Sequence, residues 1–355
     1  MHIMKNSDNN FERAKNILVV RQHHQLGDML CALPMFAAIR KKFPHAHITL
    51  IASPVSYKVL NSKANPYIDE VINYNKQGVH SLLDFFNQFL SRKYDIGIVP
   101  STASISRTSH YINYISGAKI RVGVESVENK TNKSANLLTI KKKFFWDEQK
   151  LHQIERNLDI TRLIGCDITQ EEKRNVRLVL DKNEIAYGDR YCADNFPDKS
   201  RPVFAFHAGA AKVQNRWSKD NFVKLILMLH EKYNPYIFLT SGPMDGEIHN
   251  YIKHKLKIHS VDCEIIPKMT IRETASILSR VSLYLSNDTG PMHVAAYVNA
   301  KVIGLFGPTK GYEWGPVNPQ GAYIKSDTEN IDDIPADKVY NFINNYLKKN
   351  KQNAE

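Results

Sequence analysis

Short apolar, β-branched segments alternate with longer segments of helical periodicity along most of the chain. The predicted strands of the first half are ILVVRQ (17–22), HITLIAS (47–53), EVINYN (70–75) and DIGIVPS (95–101), with helical patterns over 27–42 and in SLLDFFNQFLSRKY. Strands that alternate with helices in this way are typical of βαβ units. The first half therefore predicts a parallel sheet with helices on both faces.

A second series of strands and helices begins after residue 200. Before it, LHQIERNLDITRLIG (151–165) predicts a helix that ends at Gly165, and a charged, weakly patterned stretch follows. The predicted strands are PVFAFH, YIFLTS, CEIIP, VSLYLS and KVIGLFG, separated by helices over 218–232, 245–257, 271–280 and 291–299. The sequence thus predicts two doubly wound α/β domains, residues 1–185 and 186–355, the second ending in the amphipathic helix ADKVYNFINNYLKKN.

Composition narrows the class of protein. The 355 residues are 43% hydrophobic and contain no run of 18 apolar residues that would predict a transmembrane helix. The polar N-terminus lacks the apolar core of a secretory signal. The cysteines (Cys31, Cys166, Cys192, Cys263) form no C-x-x-C pair, which argues against disulfides or zinc and favours a cytoplasmic location. The net charge of +12 favours an anionic partner, although solvated lysines with no partner explain it equally well.

The segment SNDTGPMHVAA (286–296) joins an apolar predicted strand to an apolar predicted helix. Ligands of doubly wound sheets bind at such turns, where the first N–H groups of the helix are unpaired and carry partial positive charge. Gly290 permits close approach of a phosphate, Thr289 adds a hydroxyl, and Pro291 suits the first helical turn. Asp288 is better suited to sugar hydroxyls. The alternative is that Asp288 caps the helix and His293 packs against the sheet.

Two further turns of the second half carry complementary groups. FHAGAAKVQNRWSKDNFVKLI (206–226) contains Lys212 and Arg216, and YIFLTSGPMDGEIHNYI (236–252) contains Gly242 and Glu247. Together the three turns predict a nucleotide-sugar site, with cations for the diphosphate and a carboxylate for the ribose or base. The chain has neither G-x-x-x-x-G-K-[ST] nor G-x-G-x-x-G after its first strand, which disfavours a P-loop enzyme and a dinucleotide oxidoreductase.

Three segments resemble glycosyltransferase family 9, whose best-known members are the ADP-heptose:lipopolysaccharide heptosyltransferases. They are LGDMLCALPMFAAIRKKFP, HAGAAKVQNRW and NDTGPMHVAAYVNAKVIGLFGPT, within a resemblance that covers roughly 16–315. The resemblance implies the GT-B architecture, in which two Rossmann-like domains face a cleft. It places the donor in the C-terminal domain and the acceptor in the N-terminal one, and it implies inverting, metal-independent transfer with no cofactor.

The resemblance also implies roles for individual residues. Asp28 of L-G-D-x-x-x-x-L-P occupies the position of the catalytic base, next to Gly27 on the acceptor side. Asp288, Thr289, Gly290 and His293 fall in the donor motif, and Glu247 corresponds to a nucleotide contact. Family members commonly carry lysine where this chain has Asn215, so Lys212 or Arg216 would have to supply that charge.

The residues of the first half allow structural alternatives. Asp28 follows the first predicted strand, where a carboxylate can accept the proton of an attacking hydroxyl or merely cap a helix. His23, His24 and Gln25 either contact the acceptor or are simply exposed. Arg107 and Arg121 suit an anionic acceptor but are also typical of ordinary surface arginines. KKKFFWDEQK (141–150) either dips Phe144, Phe145 and Trp146 into a membrane interface or buries them between solvated lysines.

The function predicted is transfer of a sugar, with ADP-heptose as the favoured donor, to a lipopolysaccharide core or related anionic glycan. The enzyme would act in the cytoplasm, with peripheral contact to the inner membrane. One alternative is a nucleotide-sugar epimerase of the same architecture, which would need no acceptor element such as L-G-D-x-x-x-x-L-P. The other is a basic, non-enzymatic nucleic-acid-binding protein, for which the lysines are too dispersed.

Overall fold

The computed structural model describes Phe11 and residues 13–22, 25–102, 104–242 and 245–352. The chain divides into two compact units, Met1–Asp181 (unit 1) and Lys182–Glu355 (unit 2). The boundary drawn from the sequence lies between residues 185 and 186, just inside the first helix of unit 2.

Unit 1 is built on a largely parallel sheet. Its strands are β1 (Asn16–Arg21), β2 (His47–Ala52), β3 (Glu70–Asn73), β4 (Ile96–Ile98), β5 (Ile120–Val127), β6 (Lys130–Thr131) and β7 (Ile140–Phe144). Its helices are α1 (Leu26–Leu30), α2 (Leu33–Lys42), α3 (Pro54–Leu60), α4 (Val79–Leu90), α5 (Arg107–Ile115), α6 (Gln153–Arg162) and α7 (Gln170–Asn175). The strand order is β3-β2-β1-β4-β5-β6, with β7 also paired to β5, and the β5–β6 pairing is antiparallel.

Unit 2 repeats the architecture with a fully parallel sheet. Its strands are β8 (Val203–His207), β9 (Tyr236–Leu239), β10 (Glu264–Ile265), β11 (Leu283–Asn287), β12 (Val302–Phe306) and β13 (Gly321–Lys325). Its helices are α8 (Lys182–Asn195), α9 (Lys219–Tyr233), α10 (Gly246–Ile258), α11 (Ile271–Leu278), α12 (Gly290–Tyr297), α13 (Gly311–Trp314) and α14 (Ala336–Gln352). The strand order is β10-β9-β8-β11-β12-β13.

The central strands of the unit 2 sheet are buried on both faces, which explains why β8, β11 and β12 are mainly apolar. All five residues of β11 are buried, as are all five of β12. The two faces of the unit 2 sheet carry separate apolar clusters: Leu283 and Leu285 lie in one, and Tyr284 in the other. The alternation follows from the two-residue period of a strand.

The structure differs from the sequence-based prediction at three places. The helix predicted over 27–42 is two helices, because Pro34 at the start of α2 has no N–H to donate to the Leu30 carbonyl. The stretch before residue 200 contains α7 and α8, whose polar composition hides the helical period. Strands β5, β6 and β7 were not among the four predicted for the first half, and Arg121 lies within β5.

Candidate functional site

The sheet of unit 2 reverses its winding direction between β8 and β11. From β8 the chain proceeds outward to β9 and β10, then returns to place β11 on the other side of β8, where Ser286 pairs with His207. The carboxyl ends of these two central strands therefore lie side by side. In parallel α/β sheets such a switch point opens the crevice in which ligands bind.

Asn287, the last residue of β11, holds the loop after β8 in place. Its buried amide group donates to the carbonyls of Ala208 (2.9 Å) and Gly209 (3.2 Å) and accepts the backbone N–H of Trp217 (3.2 Å). Both ends of the 208–217 loop are thus fastened to the neighbouring strand. No role was predicted for Asn287, although its position beside Asp288 in the motif was a usable signal.

Three side chains from three loops meet next to this fastening. Nδ2 of Asn215 donates to Oδ2 of Asp288 and to Oγ1 of Thr309, each over 3.2 Å. These residues follow β8, β11 and β12 respectively. The backbone of the Asn215 loop also approaches Gly307, where an added Cβ would lie 3.2 Å from the Gln214 carbonyl. The site therefore extends from β8 to the loop after β12.

The pKa of Asp288 is raised above its ordinary value, because burial disfavours the charged carboxylate. The hydrogen bond with Thr309 and the positive charge of the exposed Lys212 oppose this rise. Asp288 is thus a partly desolvated hydrogen-bond acceptor. A neighbouring hydroxyl donor would bind such a carboxylate more strongly than one in water.

The N-terminus of α12 has no side-chain cap, although Pro291 has no N–H and the Met292 N–H donates to the Thr289 carbonyl over 3.2 Å. Thr289 is the N-cap residue, but its hydroxyl contacts Ser286 Oγ (3.1 Å) and the Asn287 carbonyl (3.3 Å) and accepts no N–H of the first turn. A side chain at this position usually satisfies one of those donors. With Gly290 opening the helix and Pro291 in its first turn, the arrangement suits an anion.

His293 lies one turn into α12 and is buried. Its ring meets Trp314 edge to face, with 6.3 Å between the ring centroids. This packing agrees with a structural role, and contact of His293 with a donor stays a prediction.

The turn after β9 is organised by Asp245, which the sequence analysis also missed. Its carboxylate accepts the N–H of Gly242 over 2.7 Å and lies 3.9 Å from Nε2 of His207. A Cβ on Gly209 would stand only 2.0 Å from Asp245 Oδ1, so the backbone of the first loop rests directly on this carboxylate. The D-G step before the helix was the available sequence signal. Pro243 and Met244 of the predicted turn lie outside the described residues.

A buried polar network lies beneath the same turn. Nδ1 of His207 is 3.0 Å from the Thr240 hydroxyl, which is 2.8 Å from the Tyr284 hydroxyl. Burial lowers the pKa of His207 although the negative charge of Asp245 opposes the shift, so the imidazole is neutral. Burial likewise lowers the pKa of His249 in α10, whose ring nitrogens have no hydrogen-bond partner among the described residues.

The remaining predicted residues of unit 2 lie around these loops. Lys212 is exposed, and Arg216 is half-buried with its Nε donating to the Ala210 carbonyl (2.7 Å). Glu247 lies exposed in the first turn of α10. The charge of Lys212 thus acts on the Asp288 carboxylate, whereas the guanidinium of Arg216 already donates a hydrogen bond within its own loop.

In unit 1, Asp28 lies buried in the first turn of α1. The N-cap residue is Gln25, so the alternative role of Asp28 as helix cap is wrong. One carboxylate oxygen is 3.8 Å from NH2 of the buried Arg21, and that same nitrogen donates to the Asp28 carbonyl over 3.0 Å. Gly27, half-buried beside it, accepts the Cys31 N–H through its carbonyl.

Arg21 is itself held by unit 1. Its NH1 donates to the Pro100 carbonyl (2.6 Å) and to Asn157 Oδ1 (2.9 Å). Burial lowers the pKa of Arg21, and the Asp28 carboxylate opposes that shift. Through Arg21, the position of Asp28 therefore depends on β1, on the end of β4 and on α6 together.

The other residues predicted to bind an acceptor are dispersed. Arg107 is exposed at the start of α5. Arg121 lies near the amino end of β5, where its guanidinium donates to the carbonyls of Leu137 and Ala118, each over 2.6 Å. These bonds give Arg121 a structural role, and its contact with an acceptor stays a prediction. His23 and His24 lie outside the described residues.

The aromatic residues of KKKFFWDEQK divide between core and surface. Phe144 and Trp146 are buried and stacked, with ring centroids 4.6 Å apart, whereas Phe145 is exposed. The interpretation as buried aromatics among solvated lysines therefore holds for two of the three. In the described part of the chain, no helix is long and apolar enough to cross a membrane.

Comparison with known proteins decides the family. The family model described as glycosyltransferase family 9 (heptosyltransferase) matches residues 83–341, well over half of the chain. The chain belongs to glycosyltransferase family 9.

Individual relatives are similar to this family 9 protein over most of its length. It is 22% identical to lipopolysaccharide core heptosyltransferase OpsX of Haemophilus influenzae, over 87% of this chain and 84% of that protein. A family 9 structure from Veillonella parvula has a TM-score of 0.79 at 20% identity, covering 94% of this chain and 97% of that one. The structure of Escherichia coli heptosyltransferase WaaC with ADP has a TM-score of 0.72 at 16% identity, covering 93% and 99%.

The family assignment confirms three predictions. The protein is a glycosyltransferase, its fold is the GT-B type with two Rossmann-like units, and the resemblance stated from the sequence is correct. Glycosyl transfer is thereby favoured over epimerisation and over non-enzymatic nucleic-acid binding. The roles of the individual residues stay predictions.

Proposed function

We propose that this family 9 glycosyltransferase moves a heptose from ADP-heptose to a lipopolysaccharide core acceptor, with inversion at the transferred carbon. The observation that carries the proposal is the switch point of unit 2. There the N-terminus of α12, which has no side-chain cap, adjoins the Asp288 carboxylate, a hydrogen-bond acceptor. A helix N-terminus suits a diphosphate, and a carboxylate suits sugar hydroxyls. The names of OpsX and of WaaC with ADP supply the identity of the sugar and nucleotide.

A binding screen tests the donor. Thermal shift with ADP, UDP, GDP and CMP, alone and as sugar conjugates, should single out ADP and ADP-heptose. A ligand at a hundred times its dissociation constant adds about 2.7 kcal/mol of stability. Stabilisation by a uridine or guanosine conjugate alone would contradict the proposed donor, and ADP release without a glycosylated product would contradict transfer.

Asp28 is the general base in this proposal. An acceptor hydroxyl has a pKa far above 7 and attacks well only as its proton leaves, so a carboxylate must accept that proton. Asp28 is buried and its carboxylate Oδ1 has no hydrogen-bond partner among the described residues. That oxygen is therefore not committed to another hydrogen bond, although it lies 3.8 Å from the Arg21 guanidinium.

Transfer is proposed to need no divalent metal. Lys212, Arg216 and the first N–H groups of α12 supply positive charge for the leaving diphosphate. Turnover should therefore persist in EDTA. Loss of turnover in EDTA that magnesium or manganese restores would contradict this part of the proposal.

Peripheral membrane contact is proposed at one apolar surface of unit 1. Leu83, Phe86 and Leu90 are exposed at helical spacing on α4, and Tyr111, Tyr114 and Ile115 are exposed on α5. Both helices pack on the same buried cluster, so these side chains lie on one side of the sheet. Exposed cations stand at or near the ends of these two helices in the sequence: Lys76 and Lys93 for α4, Arg107 and Lys119 for α5. Exposed apolar side chains on helices that are flanked by cations suit an anionic bilayer.

Liposome sedimentation tests this surface. Vesicles containing anionic phospholipid should retain the wild type at low salt and lose the Leu83→Glu/Phe86→Glu variant. A matched control is Ile185→Glu/Ile258→Glu, which places the same two charges at exposed apolar residues of unit 2. Equal retention of all three proteins would contradict the proposed surface.

A further inference from the structure

Asn215 is a buried residue of unit 2 to which the proposed transfer assigns no role. It ends the short helical turn Val213–Asn215, between β8 and α9, and is 5% exposed. Its side chain connects the loop after β8 with those after β11 and β12, through Asp288 and Thr309. A single amide thus joins three loops of the candidate donor site.

Asn215 is poorly suited to bind the diphosphate itself. Its amide is neutral, and its Nδ2 group already donates to Asp288 and Thr309. Its Oδ1 atom is buried without a hydrogen-bond partner among the described residues, and an oxygen acceptor does not attract phosphate oxygens.

The amide is well suited to orient the Asp288 carboxylate. It donates to Oδ2, which restricts rotation of the carboxylate and leaves Oδ1 without a hydrogen bond from Asn215. The Thr309 hydroxyl accepts from the same Nδ2 and lowers the tendency of Asp288 to protonate. Because Asn215 brings no charge, it orients Asp288 without neutralising it, and the carboxylate keeps its capacity to accept sugar hydroxyls.

We propose that Asn215 is a positioning residue for donor-sugar recognition, which holds the Asp288 carboxylate toward a hydroxyl of the transferred sugar. The proposal rests on the proposed function, since it takes the ligand to be ADP-heptose. It predicts that Asn215 affects affinity for the sugar and leaves affinity for the nucleotide diphosphate unchanged.

Calorimetric titration with ADP and with ADP-heptose tests this role. Asn215→Ala should weaken ADP-heptose about tenfold, as expected for a lost hydrogen bond to a charged group, and leave ADP within twofold. Asp288→Ala should weaken ADP-heptose at least as much. If Asn215 acts through Asp288, the double variant should bind ADP-heptose no more weakly than Asp288→Ala alone.

Asn318→Ala is a matched control. Asn318 is also buried, also donates two hydrogen bonds from Nδ2 (to the Ala296 and Ala300 carbonyls), and also has an unpartnered Oδ1. Its removal should lower the melting temperature as much as Asn215→Ala does while leaving both ligands unaffected.

The outcomes separate the two proposals. If the wild type binds neither ligand, or binds ADP but not its heptose conjugate, the proposed donor fails and this role fails with it. If the wild type binds ADP-heptose, equal weakening of both ligands by Asn215→Ala overturns the positioning role alone. Additive losses in the double variant, or no change in ADP-heptose affinity, would also overturn it.

Discussion

Replacing Asp28 with asparagine removes a negative charge from a buried position while leaving the side chain almost unchanged in size. The charge that remains is Arg21, which is 2% exposed and 3.8 Å from the Asp28 carboxylate. Two unit charges at that distance attract each other by about 4 kcal/mol at an effective dielectric constant near 20. Breaking a buried pair by removing one partner typically costs about 3–5 kcal/mol. We therefore expect Asp28→Asn to lower the free energy of unfolding by about 3 kcal/mol or more.

The same substitution should abolish most turnover for a separate reason. An amide cannot accept the acceptor hydroxyl's proton, and a positioned base contributes on the order of 10²–10⁴ in rate. Turnover measured as ADP release should fall by that factor. Affinity for ADP should be unchanged in the folded fraction, because the proposed diphosphate contacts lie in unit 2.

A second substitution separates the two effects. The double variant Arg21→Gln/Asp28→Asn removes both charges and leaves neither one buried alone. In urea unfolding, it should therefore lose less free energy of unfolding than the sum of the losses in the two single variants. Its turnover should stay as low as that of Asp28→Asn. Near-normal turnover in Asp28→Asn would refute the base assignment. If the Asp28→Asn variant is as stable as the wild type, the pairing of the two charges is refuted.

Three further predictions concern unit 2. Gly209→Ala forces a Cβ to within 2.0 Å of Asp245 Oδ1 and should destabilise the protein by about 1–3 kcal/mol, whereas Gly246→Ala, whose Cβ meets nothing within 4 Å, should not. Burial raises the pKa of Asp288, so ionisation of this carboxyl group opposes folding. The contribution of the protonated carboxyl group to stability is complete at low pH and is lost as the pH rises through the folded-state pKa. Asp288→Asn should therefore melt higher than the wild type at pH 8, with an advantage that disappears in acid, and a lower melting point at pH 8 would contradict this. Gly290→Leu should weaken ADP at least tenfold by blocking close approach to the α12 N-terminus, and unchanged affinity in titration would argue against that site.

Much of the architecture was readable from the sequence because burial on both faces leaves a direct pattern. Strands such as β8, β11 and β12 are continuous apolar runs, and the helices between them keep their period. The turns that carry Asp28 and Asp288 follow strands whose ends the pattern marks clearly. The motifs in these turns were also sufficient for the family resemblance, which the match over residues 83–341 confirms. By contrast, α8 was missed because its Glu184 and Asp189 pair with Arg272 and Arg280 of unit 2 instead of forming a conspicuous apolar stripe.

Only the tertiary structure decided which polar groups meet. Asn215 and Asp288 are 73 residues apart and Asn215 and Thr309 are 94 apart, yet each pair is in hydrogen-bond contact. The contact between Asp245 and the backbone of Gly209 likewise joins two loops that are distant in the sequence. In the sequence, Arg21 is an ordinary strand residue. Only the structure shows that it is buried against Asp28. A sequence pattern records which face of an element is apolar, whereas hydrogen bonds between loops depend on strand order, which determines the loops that become neighbours.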